Sequence, residues 1–321
     1  MRIRRMVANC SSAAALCIQF VAGLSNAVVD RSSPSQYNTH PKYYSQQHQN
    51  LSSSQSYHPA IVPSPNRYHS YGVAGTNMKG LNSLTLHPGS YEPPLAAHSF
   101  RLYSMRFCPF AQRVVIYLAK KNIPVEITNV NPDKGPAWFL AKSPLGRVPA
   151  LEINGKILWE SNVICEYLDD LFPSTSVLPK DPYDKGMQKI VLERLSPLMN
   201  VLFEFFRATS PQQMRQVDNS LHSALRNAES LLTDQFYGGR NIGYADILLW
   251  PFMERLELIT LNPHTQFHYF PGLHYPKMGA YIARMQRQPE VKFALRPLSH
   301  HKAYVDSYAA GRPNYDYGIF N

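Results

Sequence analysis

A strand-like run, Phe100 to Ser104, leads within a few residues into Cys108-Pro109-Phe110-Ala111 and then into a helix-like stretch, Gln112 to Lys121. That order places one thiol at the seam between a strand end and a helix N-terminus. Pro109 suits the first helical position, because its φ is already helical and its missing N–H would have no partner there. The helix dipole and the unpaired N–H groups of the first turn favour an anion, so the thiol should ionise below the roughly 8.5 of a free cysteine. A cysteine is commonly a small buried apolar group; its place in this order argues for reactivity instead. A dithiol oxidoreductase would carry a second cysteine three residues on. That position is Ala111, so the chemistry predicted here is monothiol.

The chain continues with a second strand, Val125 to Asn129, then Gly135 to Leu140, then Ser143 to Leu151 containing Val148-Pro149. A Val-Pro step just before a strand is a candidate cis peptide, which would turn the Val148 backbone outward to pair with an extended peptide. Lys156 to Trp159 reads as a short strand, followed by Glu160, Ser161 and a helix from Asn162 to Leu171. Ser161 is the expected cap, with a hydroxyl and N–H to offer a carboxylate.

With these elements in place, the chain resembles the glutathione transferases, and most closely their omega class. The resemblance covers about Phe100 to the low 300s. It rests on Ser104-Met105-Arg106-Phe107-Cys108-Pro109-Phe110-Ala111, on Trp159-Glu160-Ser161, on Leu178 to Lys185, and on Trp250 to Glu257. It implies an α/β, thioredoxin-like N-terminal domain (98–175) followed by an all-helical C-terminal domain (183–306). It further implies that Cys108 forms a mixed disulfide with glutathione as co-substrate and that Phe110 lines the same pocket. Val148 would pair with the cysteinyl unit, while Glu160 and Ser161 would hold the γ-glutamyl amine and carboxylate. The family commonly has a lysine beside Pro136 for the glycine carboxylate. Here that place is Gly135, and Lys134 stands one residue back. Glutathione-dependent thioltransferase and dehydroascorbate reductase activity, small oxidised or electrophilic acceptors and a homodimer are the implied function and partners.

The second half carries apolar residues at helical spacing over Asp184 to Ala208 and Gln212 to Gln235, which mark core-facing stripes. In Ile242 to Ile247, Gly243 sits at an N-cap with Asp246 at N3 and flanking isoleucines, a folding device rather than a site. The helix Pro276 to Gln288 puts Tyr281 where the resemblance implies an aromatic of the second-substrate pocket. The Tyr-, Gly- and Pro-rich tail, 307–321, is predicted to fray.

The first 97 residues read differently. Arg2, Arg4 and Arg5, an apolar stretch from about Ala13 to Leu24 and Ser25-Asn26-Ala27 together form a secretory signal pattern over 1–27. The stretch is short and interrupted by Gln19, so no stable membrane span is expected. From Arg31 to Tyr91 there is no acidic residue, and Ser, Gln, Asn, His, Pro and Tyr dominate. Such a segment buries too little apolar surface to offset its ordering entropy, so 28–97 is predicted to be a disordered extension. Asn50-Leu51-Ser52 is a glycosylation sequon if the chain is secreted. Initiation at Met78 would instead give a cytoplasmic form.

The net charge of +10 does not argue for nucleic acid, since 7 Lys/Arg against 2 Asp/Glu lie in residues 1–97 and no compact basic run follows. Of four cysteines, Cys10 and Cys17 lie in the signal-like segment and Cys165 lies on an apolar helix face, which leaves Cys108 as the redox candidate. No His/Cys spacing reads as a metal site. Two other functions stay open: a non-catalytic ligand- or partner-binding protein of this fold, and a relative of the chloride intracellular channel proteins that engages membranes. Gln112, Arg113, Lys120 and Lys121 on the first helix count against insertion.

Overall fold

The structure, a computed structural model, describes residues 77–319. The signal-like segment, the sequon at Asn50 and most of the predicted extension lie outside the described residues.

A five-stranded sheet forms from β1 (Met78–Lys79), β2 (Phe100–Ser104), β3 (Val125–Asn129), β4 (Ala150–Ile153) and β5 (Lys156–Trp159), in the order β1-β3-β2-β4-β5. The first three run parallel, with Leu102 opposite Ile127, and β4 and β5 add antiparallel, with Leu102 opposite Leu151. Helix α1 (Pro109–Lys120) links the parallel pair β2 and β3, and α2 (Ser161–Leu171) follows β5. Both faces of β2 are buried, which is why its sequence does not alternate. This is the predicted thioredoxin-like layer. The helical part comprises α3 (Pro182–Arg194), α4 (Ser196–Arg207), α5 (Pro211–Leu231), α6 (Tyr244–Leu256), α7 (Pro276–Met285), α8 (Pro289–Ala294) and α9 (Leu298–Ala309). Helix α6 is buried along its whole length and packs directly on α1, so it is the joint between the two layers. Asp246 caps it as expected, accepting the Gly243 N–H together with those of Tyr237 and Gly238. Among the described residues no helix is long and apolar enough to cross a membrane.

Four sequence expectations are corrected. The apolar stripe over Asp184 to Ala208 is two helices, because Pro197 has no N–H to continue the ladder and the chain turns at Leu195. Ser161 is not the cap of α2: that place falls to Glu160, which makes no side-chain cap bond, and Ser161 is the first helical residue. The segment 77–97, assigned to the disordered extension, is part of the fold. Its strand β1 pairs with β3, Ser90 O accepts the Trp138 indole N–H at 2.8 Å, and Pro93 O and Pro94 O accept from the fully buried Arg101 guanidinium at 2.6 and 2.7 Å. Composition misses this because the segment contributes backbone acceptors rather than apolar side chains.

The tail does not fray at its start. α9 runs to Ala309, and the chain then folds back so that Tyr315 is buried, its phenol donating to Asp133. The Asp316 carboxylate accepts from the Thr85 N–H and hydroxyl at 3.0 and 2.7 Å, and Tyr317 O accepts from Arg106 at 2.7 Å. The segment before β2 and the segment after α9 therefore hold each other.

Candidate active site

Cys108 is the N-cap of α1, in extended backbone, and its Sγ accepts the Ala111 N–H at 3.4 Å. The sequence dictates this locally: Pro109 starts the helix, and no acidic residue in the first turn competes for its donors. Sγ also lies 3.6 Å from Val148 O, with the thiol as donor. The Val148–Pro149 peptide is cis, as expected. Val148 is thus brought against Cys108. Both belong to an apolar cluster with Tyr103, Phe107, Phe139 and Tyr315, and Phe110, Trp138 and Tyr304 pack against it. Cys108 is 8% exposed, a thiol at the floor of this cluster rather than on the surface.

Phe110 stands T-shaped to Phe252 at 5.3 Å, and the Arg113 guanidinium lies over both rings, at 5.1 Å from Phe110 and 4.8 Å from Phe252. Arg113 is buried, and among the described residues no carboxylate pairs with it. It donates to Leu248 O at 2.6 Å, to Asn162 Oδ1 at 3.0 Å and to Ser161 Oγ at 3.2 Å. Burial pushes the guanidinium down to about 10, still charged at neutral pH, with the thiols of Cys165 and Cys108 and the Tyr244 phenol acting in the opposite sense. Because arginine only donates, Ser161 Oγ accepts here and its own hydroxyl proton stays available for a carboxylate. Glu160, exposed beside it, has a positive φ of 70°. That is an uncommon region for a residue with a side chain, and such outliers cluster at ligand clamps.

The backbone leading into Cys108 is held from the helical layer. Arg255 donates to Phe107 O through Nη2 at 3.1 Å and through Nε at 3.3 Å, and its Nη1 donates to Gln112 Oε1 at 2.6 Å. Gln112 in turn donates to Glu254 Oε2 at 2.6 Å. Arg296 Nε donates to Arg106 O at 2.7 Å. The two carbonyls preceding the thiol are therefore fixed by two arginines roughly 150 to 190 residues away in sequence, whose separations are 148 and 190. Burial lowers Arg255, and the charges of Glu254, Cys108 and Tyr304 oppose that fall. Two guanidinium groups, Arg113 and Arg255, thus act electrostatically on Cys108.

Lys134 is exposed on the turn after β3, its N–H held by Asn131 Oδ1 at 2.9 Å. The departure at Gly135 has a steric reason: a Cβ there would stand 2.9 Å from Asn131 O, so a lysine at 135 would require this turn to shift. Tyr281 is not in the pocket. It is fully buried in the helical core beside Tyr237 and Phe236, at ring distances of 5.2 and 6.4 Å, and burial with the nearby Asp246 carboxylate drives its phenol well above the ordinary range. From α9, Tyr304 packs against the thiol cluster, stacked on Phe107 at 4.6 Å. Cys165 is buried, and burial pushes its thiol far up, as its inert reading required. Nothing local in the sequence marks these arginines as site residues. In the sequence Gln112 and Arg113 stand out only as polar residues of α1, and Arg255 only as part of the Trp250 to Glu257 run.

Comparison with known proteins agrees with this geometry. The family model described as "Glutathione S-transferase, N-terminal domain" matches residues 102–176. The chain is 38% identical over 250 residues to a "Probable glutathione transferase omega-2" of Caenorhabditis briggsae, covering 75% of this chain and 99% of that one. It is 35% identical over 248 residues to "Glutathione S-transferase omega-1" of Sus scrofa, covering 75% and 100%. Among solved structures, glutathione transferase Omega 3C from Trametes versicolor superposes with a TM-score of 0.60 at 26% identity, covering 68% of this chain and 92% of that one. With a thiol at a helix start, a cis Val-Pro turn beside it and relatives this similar over their full length, the chain belongs to the glutathione transferase family, in its omega class.

Proposed function

We propose that this transferase works as a glutathione-dependent thioltransferase and dehydroascorbate reductase through a mixed disulfide on Cys108. The observation that carries the reading is the Cys108 Sγ facing the Ala111 N–H at the first turn of α1, with no second cysteine at 111. In the thioltransferase cycle, the Cys108 thiolate attacks the glutathionyl sulfur of a mixed disulfide. The S–S bond breaks, and the acceptor leaves as a thiolate that takes a proton. A second glutathione, as thiolate, attacks the Cys108–glutathione bond, releasing glutathione disulfide and restoring the cysteine. With dehydroascorbate as acceptor, two glutathiones supply the two electrons and two protons and leave as their disulfide.

Arg113 and the first-turn donors favour the anionic sulfur in each step. Phe110, Val148, Glu160 and Ser161 are proposed to bind glutathione, with the Val148 backbone on its cysteinyl unit and the Ser161 hydroxyl on its γ-glutamyl carboxylate. Lys134 is proposed for the glycine carboxylate. A symmetric homodimer is the proposed assembly, since closed twofold dimers are the commonest soluble oligomers, and light scattering tests it.

Mass spectrometry after exposure to glutathione disulfide tests the mechanism. One glutathionyl adduct on Cys108, removed by excess glutathione, is expected. An unmodified Cys108 would overturn the mechanism while leaving the fold and family intact.

A further inference from the structure

The tail that returns after α9 sets Tyr315 between the thiol cluster and the turn after β3. Its ring is buried in the cluster, 5.9 Å from the ring of Tyr304, which stacks on Phe107 next to Cys108. Its hydroxyl donates to Asp133 on that turn. We propose that Tyr315 is a specificity-determining residue for the thiol co-substrate, engaging the Asp133 carboxylate so that the site accepts a thiol peptide ending in a free carboxylate. This rests on the glutathione placement proposed above, with Lys134 at the glycine carboxylate.

Asp133 and Lys134 stand side by side in one turn, because Asn131 Oδ1 accepts both of their N–H groups at 2.9 Å. A side chain at 135 would force this turn to shift, so the cation it offers is Lys134, with an acid directly before it. A ligand carboxylate that reaches Lys134 therefore meets Asp133 as well. The length is suitable. One phenol ring spans the distance from the thiol cluster to the Asp133 carboxylate, and one peptide unit carries the glycine carboxylate of glutathione away from its cysteinyl residue. The electrostatics agree: after burial and Tyr308, both Asp133 and Cys108 push the Tyr304 phenol above its ordinary range. Asp133 and the thiol thus lie within electrostatic reach of one hydroxyl.

Among the described residues no cation pairs with Asp133 and no other side chain donates to it. A bare carboxylate beside Lys134 would repel the glycine carboxylate and cancel what the lysine contributes, since like charges brought together cost binding. The Tyr315 hydroxyl takes up Asp133 Oδ2 in a hydrogen bond to a charged acceptor, which disperses part of that charge. Burial and this bond hold the phenol above its ordinary range, so it remains a donor at neutral pH. The flanking bonds, from Thr85 to Asp316 and from Arg106 to Tyr317 O, keep the ring in place.

S-methylglutathione, a thioether that forms no disulfide, and its glycine ethyl ester separate the glycine charge from the rest of the ligand. Isothermal calorimetry on the full chain compares them. Tyr315→Phe should weaken S-methylglutathione by about tenfold or more, and its ester by less than about twofold, because the ring stays in the cluster. Adding Asp133→Asn to Tyr315→Phe should restore the affinity for S-methylglutathione. Equal losses for acid and ester would make Tyr315 a packing residue and overturn the proposal. So would no loss for either ligand, or no recovery with Asp133→Asn. A parent chain that binds neither ligand would overturn the glutathione placement and this role together. If the parent binds S-methylglutathione and the selective loss is absent, the role of Tyr315 fails alone, and the adduct on Cys108 still judges the mixed-disulfide mechanism.

Discussion

The Arg113 guanidinium donates to the Ser161 hydroxyl at 3.2 Å, tying the first helix after the thiol to the first residue of the helix after β5. This one contact links two stretches that the sequence marks separately, Cys108-Pro109 and Glu160-Ser161. It also places a buried positive charge, balanced by no carboxylate among the described residues, behind two helix N-termini. An unpaired charge in the interior costs several kcal/mol unless hydrogen bonds and a ligand compensate. Leu248 O and Asn162 Oδ1 provide the hydrogen bonds, and the faces of Phe110 and Phe252 add cation–π contact. The γ-glutamyl carboxylate and the thiolate are the proposed anions that complete it.

Replacing Arg113 by methionine keeps the volume and removes the charge. The KM for glutathione should rise by about tenfold or more, corresponding to the loss of ~1.4 kcal/mol or more expected for a hydrogen bond to a charged group. Iodoacetamide should alkylate Cys108 more slowly at pH 7. An unchanged KM alongside an unchanged alkylation rate would show that the charge serves folding only.

Cys108→Ser should abolish thioltransferase and dehydroascorbate reductase turnover while glutathione still binds, read by isothermal calorimetry alongside coupled assays. Cys165→Ser should leave turnover largely intact, because burial holds that thiol protonated. Retained turnover in Cys108→Ser would sink the mixed-disulfide mechanism.

Acid stability should report on His301. Burial and the Arg255 charge lower its imidazole from 6.5 to about 4, against the opposing bond to Glu254 at 2.8 Å. Burial alone would raise Glu254, but His301 and Arg255 hold it low, so the pair is a neutral imidazole donating to a carboxylate. The unfolded chain therefore binds the proton first. This contribution to stability is complete above about pH 6.5 and is lost as pH falls toward 4, up to about 3 kcal/mol. Urea unfolding at several pH values should show that decline, and His301→Gln should flatten it. A variant with the same slope as the parent would assign the decline to other groups.

Deleting residues 1–76 should leave the described fold intact, whereas a chain starting at Ala97 should lose ~3 kcal/mol or more. The shorter chain strips Pro93 O and Pro94 O from the buried Arg101 guanidinium, leaving it only Glu126 at 2.7 Å. Chemical denaturation of the two chains compares them directly. Equal midpoints would mean that 77–96 is dispensable after all.

Ending the chain after Ala309 removes Tyr315 from the thiol cluster and frees Arg106 from Tyr317 O. Cys108 alkylation should then quicken, and the melting temperature should fall. Alkylation at the parent rate would show that the tail braces the fold without covering the thiol.

The local chemistry of this protein was legible in its sequence. A thiol before Pro109 must sit at a helix start, Val148-Pro149 before a strand invites a cis turn, and Asp246 three residues after Gly243 closes a helix N-terminus. Each signal resides within a few residues, where backbone geometry leaves few alternatives. What only the tertiary structure decided is which distant groups converge on that thiol. Arg255 and Arg296 reach the Phe107 and Arg106 carbonyls, and Tyr304 rather than Tyr281 stacks at the thiol cluster, because α6 packs on α1 and α9 returns over the site. The strand at Met78 and the fold-back at Tyr315 escaped a compositional reading for the same reason. They are held by backbone acceptors, by single long-range bonds such as Thr85 to Asp316 and by the Tyr315 ring in the thiol cluster, contacts that exist only once the chain has closed on itself.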